Sequence, residues 1–353
     1  RQRQMCIRDS ISVIDEQHAW IAGSSGIILY TADGGITWEL MDTYAQLHFS
    51  AIHFSSSQHG CIVGWSGEVL DSTVVLVTND GGQSWQSKEH PQGNYLYDVF
   101  FINDTRGWAV GISGVVGWII FTDDGGNTWE HQMETLGVSG ELFGVHFRDD
   151  VVGQICGVYG TFLLTNNAGT IGNGWAVNIS LPTLGKDLYD LFDYGAMKGW
   201  IAGEDGTIIY TQDNWTNWDD QESGTDNDLN GVSGDEIADK FWAVGDAGTI
   251  IHKAGWLVGW TPQSSGVNED LNDVEFASSE VGWAVGNNGT ILKFTTGPVG
   301  IDEVEECQIS IFPNPCTDNT LLRLTINDQR LTICDIYSIS GMKVRRLFEE
   351  ELL

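Results

Sequence analysis

Seven pairs of glycines with the spacing Gly-x-x-Gly, each flanked by apolar residues, divide most of the chain into similar units. The first glycines of successive pairs lie 41, 47, 46, 46, 42 and 41 residues apart. The pairs are Gly23/Gly26, Gly64/Gly67, Gly111/Gly114, Gly157/Gly160, Gly203/Gly206, Gly245/Gly248 and Gly286/Gly289. A fixed period of this length is typical of a propeller, a solenoid or an array. It constrains the architecture and leaves the function open, because one scaffold hosts many activities.

Each unit contains the pattern of four short strands. Trp108-Ala109-Val110 leads into a glycine pair, and Trp118-Ile119-Ile120 leads out of it. β-branched and aromatic residues bounded by glycine turns predict strands. An apolar stretch such as Leu96–Phe101 precedes this hairpin and predicts the first strand, whereas no unit shows sustained helical periodicity. Seven such units predict an all-β, seven-bladed β-propeller with four-stranded blades.

A third pattern follows the hairpin in several units and reads Thr-x-Asp-Gly-Gly-x-Thr-Trp at residues 31–38. It resembles the Asp-box of the BNR repeat. The matching aspartates are Asp33, Asp80, Asp124 and Asp213. We predict that they are structural, because a carboxylate can accept backbone N–H bonds across a turn. Residues 165–169 form a shortened copy, and the last two units lack the pattern.

The repeat predicts a propeller over residues 11–296. Residues 1–10 resemble a translated sequencing adapter, and we exclude them from the fold. The seventh unit leaves the pattern at Gly297 without a fourth-strand signature. We therefore expect the strand that closes the ring to come from just upstream of Ile11, in a natural N-terminal segment that would also hold any signal peptide.

The tail differs in composition from the repeats. Residues 297–306 read as an acidic linker, and Pro313-Asn314-Pro315 opens a β-rich stretch within residues 307–353. This stretch resembles the type A C-terminal sorting domain of the type IX secretion system, a small β-sandwich, here incomplete; an unrelated β-domain is the alternative. The resemblance implies a secreted protein of a Bacteroidota-like bacterium, extracellular or on the outer-membrane surface, with the type IX secretion machinery as a partner.

The net charge argues against several classes of partner. The chain carries 49 acidic and 16 basic residues, a formal charge of −33. Nucleic acid is not an expected partner, because phosphate binding requires a basic surface. No run of about 18 apolar residues exists that would predict a transmembrane segment.

The candidate ligand-binding surface is the end of the blades that holds the Gly-x-x-Gly turns and the loops between blades, the Gly-x-x-Gly face. The opposite end is the Asp-box face. Loops carry function on rigid scaffolds, and the residues inside each glycine pair vary between units. The candidates are aromatic on one side and acidic on the other: Trp65, Tyr95, Tyr159, Asp226, Glu269 and Asp270. Such residues suit a protein or glycan partner, while solvated turns are the alternative interpretation.

Catalysis has a weaker basis in the sequence. A sialidase holds its substrate carboxylate with three arginines, and the propeller has two, Arg106 and Arg148, at similar places in their blades. A sialidase is therefore excluded. A glycoside hydrolase needs two carboxylates across a cleft, for which Glu204, Asp205 and Asp246 are the candidates. Clustered carboxylates are also suited to Ca²⁺; otherwise we expect no cofactor and no metal.

The repeat as a whole resembles the photosystem II assembly and stability factor propellers, most clearly at residues 107–129 and 282–292. The resemblance covers residues 11–296 and implies a shared scaffold. The arginine-rich patch of that family is not matched, since the propeller has two arginines. We therefore expect a non-catalytic protein- or glycan-binding or assembly module, with a secreted glycoside hydrolase as the alternative.

Overall fold

The computed structural model describes residues 9–44, 46–66, 73–91, 95–132, 138–168, 174–177, 185–194, 197–235, 237–255 and 258–295, together with four strand backbones nearer the C-terminus. The chain divides into two compact units, Arg1–Thr296 and Gly297–Leu353. Each unit is described by itself below.

The first unit consists of short antiparallel strands in consecutive sheets. Blades 1 to 3 contain β1 (Ser10–Val13), β2 (Ala19–Ala22), β3 (Ile27–Thr31), β4 (Glu39–Thr43), β5 (Leu47–Phe54), β6 (Gly60–Ser66), β7 (Thr73–Thr78), β8 (Gln86–Ser87), β9 (Tyr95–Phe101), β10 (Gly107–Ser113), β11 (Val116–Thr122) and β12 (Glu130–His131). Blades 4 and 5 contain β13 (Leu142–Phe147), β14 (Gly153–Gly157), β15 (Phe162–Thr165), β16 (Ala176–Val177), β17 (Leu188–Tyr194), β18 (Lys198–Gly203), β19 (Ile208–Thr211) and β20 (Asp219–Asp220). Blades 6 and 7 contain β21 (Leu229–Asp235), β22 (Lys240–Gly245), β23 (Thr249–Ala254), β24 (Thr261–Gln263), β25 (Leu271–Phe276), β26 (Val281–Gly286) and β27 (Thr290–Thr295).

The predicted seven-bladed β-propeller is confirmed. Each sheet pairs its strands in chain order, and the first strand of every blade contacts the first strand of the next, including β25 with β1. Six sheets have four strands, and within the described residues the seventh has three, β25 to β27. The first strands therefore line a central channel, and the later strands lie progressively further out.

Aromatic stacks join neighbouring blades. Between blades 1 and 2, 3 and 4, and 6 and 7, the second-strand tryptophan of one blade lies face to face with the phenylalanine that ends the first strand of the next. The ring centroids are 3.8 Å apart for Trp20 and Phe54 and 3.5 Å apart for Trp108 and Phe147. Aromatic pairs of this kind contribute about 0.5–1.5 kcal/mol beyond the area that they bury, so the Trp and Phe positions of the sequence stabilise these three interfaces between blades.

An outer tryptophan precedes the fourth strand in six blades, and the Asp-box pattern predicts it in four of them. The six are Trp38, Trp85, Trp129, Trp175, Trp218 and Trp260. Trp175 lies edge-on to Phe147, with centroids 5.7 Å apart, and Trp260 lies edge-on to Trp200 at 5.1 Å. Blades 4 and 6 thus have an outer strand with its indole although their Asp-box is shortened or missing, because packing of the indole does not need the Asp-box turn.

Blade 7 is joined to blade 1 by carboxylates in the channel. Asp273 Oδ2 accepts hydrogen bonds from Ser10 Oγ at 2.9 Å and from the Ile11 N–H at 3.0 Å. Glu275 Oε2 accepts one from the Val13 N–H at 2.7 Å. Such hydrogen bonds contribute about 0.5–1.5 kcal/mol each, and about 1.5–3 kcal/mol where the acceptor is charged. The first described residue is Asp9, whose carboxylate accepts a hydrogen bond from the Ser24 N–H, so the described part of blade 1 starts two residues before the sequence-based limit at Ile11.

The second unit contains two antiparallel strand pairs. β28 (Gln308–Phe312) pairs with β29 (Leu321–Thr325), and β30 (Ile333–Tyr337) pairs with β31 (Lys343–Glu349). The predicted sorting motif Pro313-Asn314-Pro315 lies outside the described residues. In the part of the chain that the structure describes, no helix has the length and apolar character needed to cross a membrane.

Candidate functional site

The Gly-x-x-Gly turns of blades 1, 4, 5, 6 and 7 share one backbone geometry, and the two glycines serve different purposes. In blade 5, Gly203 is extended, and a Cβ there would overlap the carbonyl oxygen of Asp187. Gly206 has a φ of +67°, which favours glycine. The residue before it, Asp205, also has a positive φ, of 51°. The first glycine is therefore required by a close backbone approach and the second by a left-handed conformation.

Blades 2 and 3 depart from this turn. β6 and β10 continue past the first glycine of their pairs, to Ser66 and Ser113. Trp65, predicted to lie in an exposed turn, is therefore a strand residue and is 8% exposed. The correction follows from the longer strands, which turn its ring between His48 and Tyr95, at centroid distances of 5.7 and 5.9 Å.

Aspartates at the start of the first strands hold the turns of the preceding blades. Each aspartate accepts a hydrogen bond of 2.9 Å from a backbone N–H of the preceding blade's turn. The donor–acceptor pairs are Tyr159 N–H to Asp187 Oδ1, Asp205 N–H to Asp228 Oδ1 and Ala247 N–H to Asp270 Oδ1. Each bond links two blades through the strained residue of the turn. Asp270, a predicted ligand-binding residue, thus supports the turn of blade 6 in this structure.

The remaining predicted carboxylates lie around blades 5 to 7. Asp205 and Asp226 line a polar cavity of about 410 Å³ together with Lys186, whose Nζ is 3.9 Å from Asp205 Oδ2. Glu204 Oε2 accepts the Asp187 N–H at 3.2 Å, and Asp246 Oδ1 accepts a hydrogen bond from Asn230 Nδ2 at 3.0 Å. Glu269 Oε2 accepts the Asn268 N–H at 3.2 Å. The structure brings Asp205 and Asp226 to one cavity and places Glu204 and Asp246 in contacts that organise the loops.

Tyr159 is the most exposed of the predicted aromatic residues. Its side chain is 74% exposed, at a turn position with a φ of +56°. A bulky residue in the left-handed region is uncommon and costs of the order of 1–3 kcal/mol. The equivalent turn positions hold small or polar residues, Ser25, Asp205, Ala247 and Asn288.

Two valines of blade 3 extend this exposed apolar surface. Val115 and Val116 are 78% and 45% exposed. The Val115 carbonyl oxygen accepts the Gly140 N–H at 3.0 Å, and a Cβ on Gly140 would lie 3.9 Å from the ring of Tyr159. Val115, Val116 and Tyr159 therefore form one patch across blades 3 and 4, the valine–tyrosine patch. The sequence-based candidates did not include the valines, although two consecutive valines directly after the second glycine of the pair were a readable signal.

The channel holds a second set of polar residues that sequence reasoning did not single out. Asp98 and Asp190 each accept a hydrogen bond from their own strand and one from the next blade. In the next blade, the Val145 N–H donates to Asp98 at 2.8 Å and the Val232 N–H donates to Asp190 at 2.7 Å. Burial raises the pKa of Asp190 well above its ordinary value, and the charge of Asp273 raises it further. Among the described residues, no group of three or more His, Cys, Asp or Glu side chains is arranged to hold a metal.

The Asp-box carboxylates hold the turns on the opposite face. Asp33 accepts hydrogen bonds from the Thr37 N–H at 2.9 Å and from the Thr37 hydroxyl at 2.6 Å. These bonds hold the pKa of Asp33 below its usual value. The same arrangement recurs at Asp80, Asp124 and Asp213.

Comparisons with known proteins agree on the scaffold. The model of the family described as photosynthesis system II assembly factor YCF48 matches residues 3–87 and 41–131. No curated protein sequence matches the chain.

Solved structures with a similar fold include a peptide-bound protein and an enzyme. YCF48 bound to D1 peptide has a TM-score of 0.65 and 20% identity over 83% of this chain and 93% of its own. YCF48 from Cyanidioschyzon merolae has the same score and identity, over 84% and 97%. A GH74 enzyme from Niastella koreensis has a TM-score of 0.63 and 12% identity, over 82% of this chain and 52% of its own. At these identities the likeness shows a shared propeller fold, so the function must be argued from the residues of this chain.

Proposed function

We propose that this chain is a secreted, surface-displayed and non-catalytic binding or assembly module, and that the valine–tyrosine patch of its Gly-x-x-Gly face contacts a protein partner. Secretion rests on the resemblance of the tail to a type IX sorting domain. The protein contact rests on the patch, and the exposed ring of Tyr159 is the observation that carries it.

The backbone geometry of the two turns does not require the apolar side chains of the patch. The Tyr159 ring and the valine methyl groups are exposed, while the turn backbone is already fixed by Asp187 and by the hydrogen bond from the Gly140 N–H to the Val115 carbonyl. Exposed apolar surface on a rigid element marks contact sites, and aromatic residues are enriched at the centres of interfaces. Two aliphatic side chains beside the ring favour a protein over a sugar, because a glycan also requires polar partners.

A propeller of similar fold, YCF48, has been solved with a D1 peptide bound. That structure supports the idea that this scaffold can take up a polypeptide on its surface. The chemistry of the partner here must differ from one that needs an arginine-rich surface, since the propeller contains only Arg106 and Arg148.

A glycoside hydrolase is the second candidate, favoured by the polar cavity beside Asp205 and Asp226 and by the fold shared with a GH74 enzyme. Glu204 and Asp246 serve it less well, because both accept hydrogen bonds that organise their turns. Release of reducing ends from a polysaccharide panel, abolished by Asp246→Ala or Asp205→Asn, would favour this candidate over the binding module.

The test of the binding module compares two surface variants. Surface and secreted proteins of the producing organism are passed over the immobilised chain, over a Val115→Ser/Tyr159→Ser variant and over Ile36→Ser. Ile36 is 82% exposed on the Asp-box face and so is a matched control. We expect a partner that the chain and the control retain and that the double variant binds at least about tenfold more weakly, as for the loss of central interface residues. Equal retention by all three would contradict the proposal.

A further inference from the structure

Polar residues replace the aromatic stack between blades 4 and 5. Gln154 has the second-strand position that Trp108 has in blade 3, directly after the first glycine of the strand. Asp193 has the position of Phe147, since each pairs with the glycine near the start of its second strand. Gln154 is fully buried and Asp193 is 4% exposed. Where blades 3 and 4 stack two rings, this interface therefore buries an amide and a carboxyl group.

A tryptophan of the loop between the third and fourth strands of blade 5 covers the pair. Trp215 stands where blade 3 has Gly126, and its side chain is 1% exposed. Its indole N–H donates to Asp193 Oδ2 at 3.3 Å, and Gln154 Nε2 donates to the same oxygen at 2.6 Å. The ring centroids of Trp215 and Phe162 are 5.2 Å apart. One oxygen of Asp193 thus has two donors from neighbouring elements.

The other oxygen of each partner has no donor. Asp193 Oδ1 and Gln154 Oε1 are buried, and neither has a hydrogen-bond partner in the described part of the chain. An ionised carboxylate and an amide oxygen both only accept, so they cannot satisfy each other. A buried acceptor without a donor is destabilising. A proton on Asp193 Oδ1 removes both deficits, because a carboxylic acid and a primary amide can exchange one N–H···O and one O–H···O bond.

Burial favours the protonated form of Asp193. It raises the pKa of this carboxyl to about 6, against hydrogen bonds from Trp215 and Gln154 and the charge of Arg148, which lower the pKa. The turn between β13 and β14 contributes the charged groups that act on Asp193, which are Arg148 and Asp149. β14 and the loop after β19 contribute the neutral Gln154 and Trp215, and β18 contributes a glycine opposite Asp193. Arg148 and Asp149 offset each other, because Arg148 Nε lies 3.6 Å from Asp149 Oδ2.

We propose that Asp193 holds a proton that it donates to Gln154 Oε1, and that this shared proton makes the interface between blades 4 and 5 a pH-sensitive contact. In acid the pair is neutral and makes both hydrogen bonds. When the proton leaves to solvent, a charge and two acceptors without donors remain buried, and the interface loosens. Because the folded-state pKa lies above the ordinary value of about 4, the stability from this pair is complete below about pH 4 and is lost as the pH rises through about 6.

The ionisation of Asp193 can be measured directly in the intact chain. Aspartates are labelled at the side-chain carboxyl carbon for NMR, and the signal that is missing from the Asp193→Asn variant is that of Asp193. We expect its chemical shift to change with a midpoint near pH 6. Gln154→Glu should move the midpoint upwards, because two carboxyl groups in contact share one proton. This variant identifies the same signal if Asp193→Asn fails to fold.

Asp193→Asn also tests the link between this proton and stability. Its amide oxygen accepts from Gln154 Nε2 and its N–H donates to Gln154 Oε1 at every pH. The unfolding constant of the parent relative to that of the variant should therefore rise about a hundredfold between pH 4 and pH 8, about tenfold for each pH unit between the unfolded and folded pKa values. Asp150→Asn, at an exposed position of the turn between β13 and β14, should leave the pH dependence of the parent unchanged.

Hydrogen exchange locates the loosened contact. Raising the pH from 5 to 8 should lower the protection factors of Gly153–Gly157 and Leu188–Tyr194 at least about tenfold in the parent and leave them unchanged in Asp193→Asn. Ala19–Ala22 and Leu47–Phe54, which carry the stack between blades 1 and 2, are the reference in the same sample. Three results would overturn the proposal: a midpoint below about pH 5 for Asp193, a ratio of unfolding constants that does not change with pH, or an equal loss of protection at the reference strands.

Discussion

Blades 4 and 7 have matching first strands and are joined to their neighbours by different chemistry. Both strands begin with leucine and end with phenylalanine. In blade 4 the side chain of Phe143 contacts the rings of Tyr97 and Tyr189, at centroid distances of 5.4 and 5.7 Å. In blade 7 the carboxylates of Asp273 and Glu275 bond the backbone and a hydroxyl of blade 1. The repeat therefore fixes the positions that pack between blades, whereas the channel-facing positions can use either stacking or hydrogen bonding.

The two blades also differ in how completely their terminal phenylalanine is covered. Phe147 is stacked on Trp108, is covered edge-on by Trp175 and is 2% exposed. Phe276 is stacked on Trp242 and lines an open cavity. Full burial of the terminal phenylalanine thus requires both the second-strand tryptophan and the tryptophan that precedes the fourth strand.

The largest expected effect tests this difference. Phe147→Ala should lower the free energy of unfolding by about 3–5 kcal/mol, because it removes a fully buried ring and leaves a cavity. Phe276→Ala should cost about 2 kcal/mol, because its ring already borders a cavity and less surface is lost from burial. Urea unfolding of both variants measures the gap. Equal losses would show that the outer tryptophan adds nothing to the inner stack.

The next effect concerns the closure of the ring. Asp273→Ala removes the acceptor for Ser10, Ile11 and Val274 and should cost about 2–3 kcal/mol. Alanine fits this position, since blade 2 has Ala51 there. Urea unfolding followed by fluorescence measures the loss, with Asp226→Ala on an exposed loop as the control. A loss no larger than that of the control would mean that contacts other than Asp273 hold blade 7 to blade 1.

The sequence was sufficient for the architecture because the propeller repeats one set of packing constraints seven times. Gly203, Trp108 and Phe147 each occupy positions where a close backbone approach or an inter-blade stack allows few alternatives. The Gly-x-x-Gly face was less predictable, because the exposure of its side chains depends on where the neighbouring strands end. Trp65 illustrates this, since two extra residues of β6 turn it inward, whereas Tyr159 stays exposed on a short turn.

The channel could not be predicted from a single unit. A lone Asp190 or Asp273 in an apolar strand gives no sign of its partner, which is the backbone of the neighbouring blade. The small residue at the same position of the preceding blade gives the space that the aspartate needs; Gly231 of blade 6, for example, lies against Asp273 of blade 7, where a Cβ on Gly231 would be 3.2 Å from the Asp273 Cα. Such relations arise only when the ring closes, so they require the arrangement of all seven blades.

The smallest expected effects concern the channel-facing residues of blades 4 and 7, whose contributions to stability should depend on pH in opposite directions. Burial lowers the pKa of His146 to about 4, so the folded chain keeps it neutral while the unfolded chain binds a proton below about pH 6.5. Stability from this histidine is present above pH 6.5 and is lost as the pH falls towards 4. Burial, and then the charge of Asp273, raise the pKa of Glu275 well above its usual value. Stability from this glutamate is present at low pH and is lost as the pH rises through its folded-state pKa.

His146→Phe and Glu275→Gln should therefore have opposite pH dependence. His146→Phe places in blade 4 the residue that blades 3 and 5 have at this position, Phe100 and Phe192. The free energy of unfolding of the variant minus that of the parent should be about 2 kcal/mol larger at pH 5 than at pH 7. Glu275→Gln keeps an oxygen to accept the Val13 N–H and cannot ionise, so it should match the parent at pH 4 and exceed its stability at pH 8. Urea unfolding at four pH values between 4 and 8 measures both, with the exposed Glu280→Gln as control. If the two differences changed in the same direction with pH, the contrast between an apolar channel wall at blade 4 and a carboxylate wall at blade 7 would be wrong.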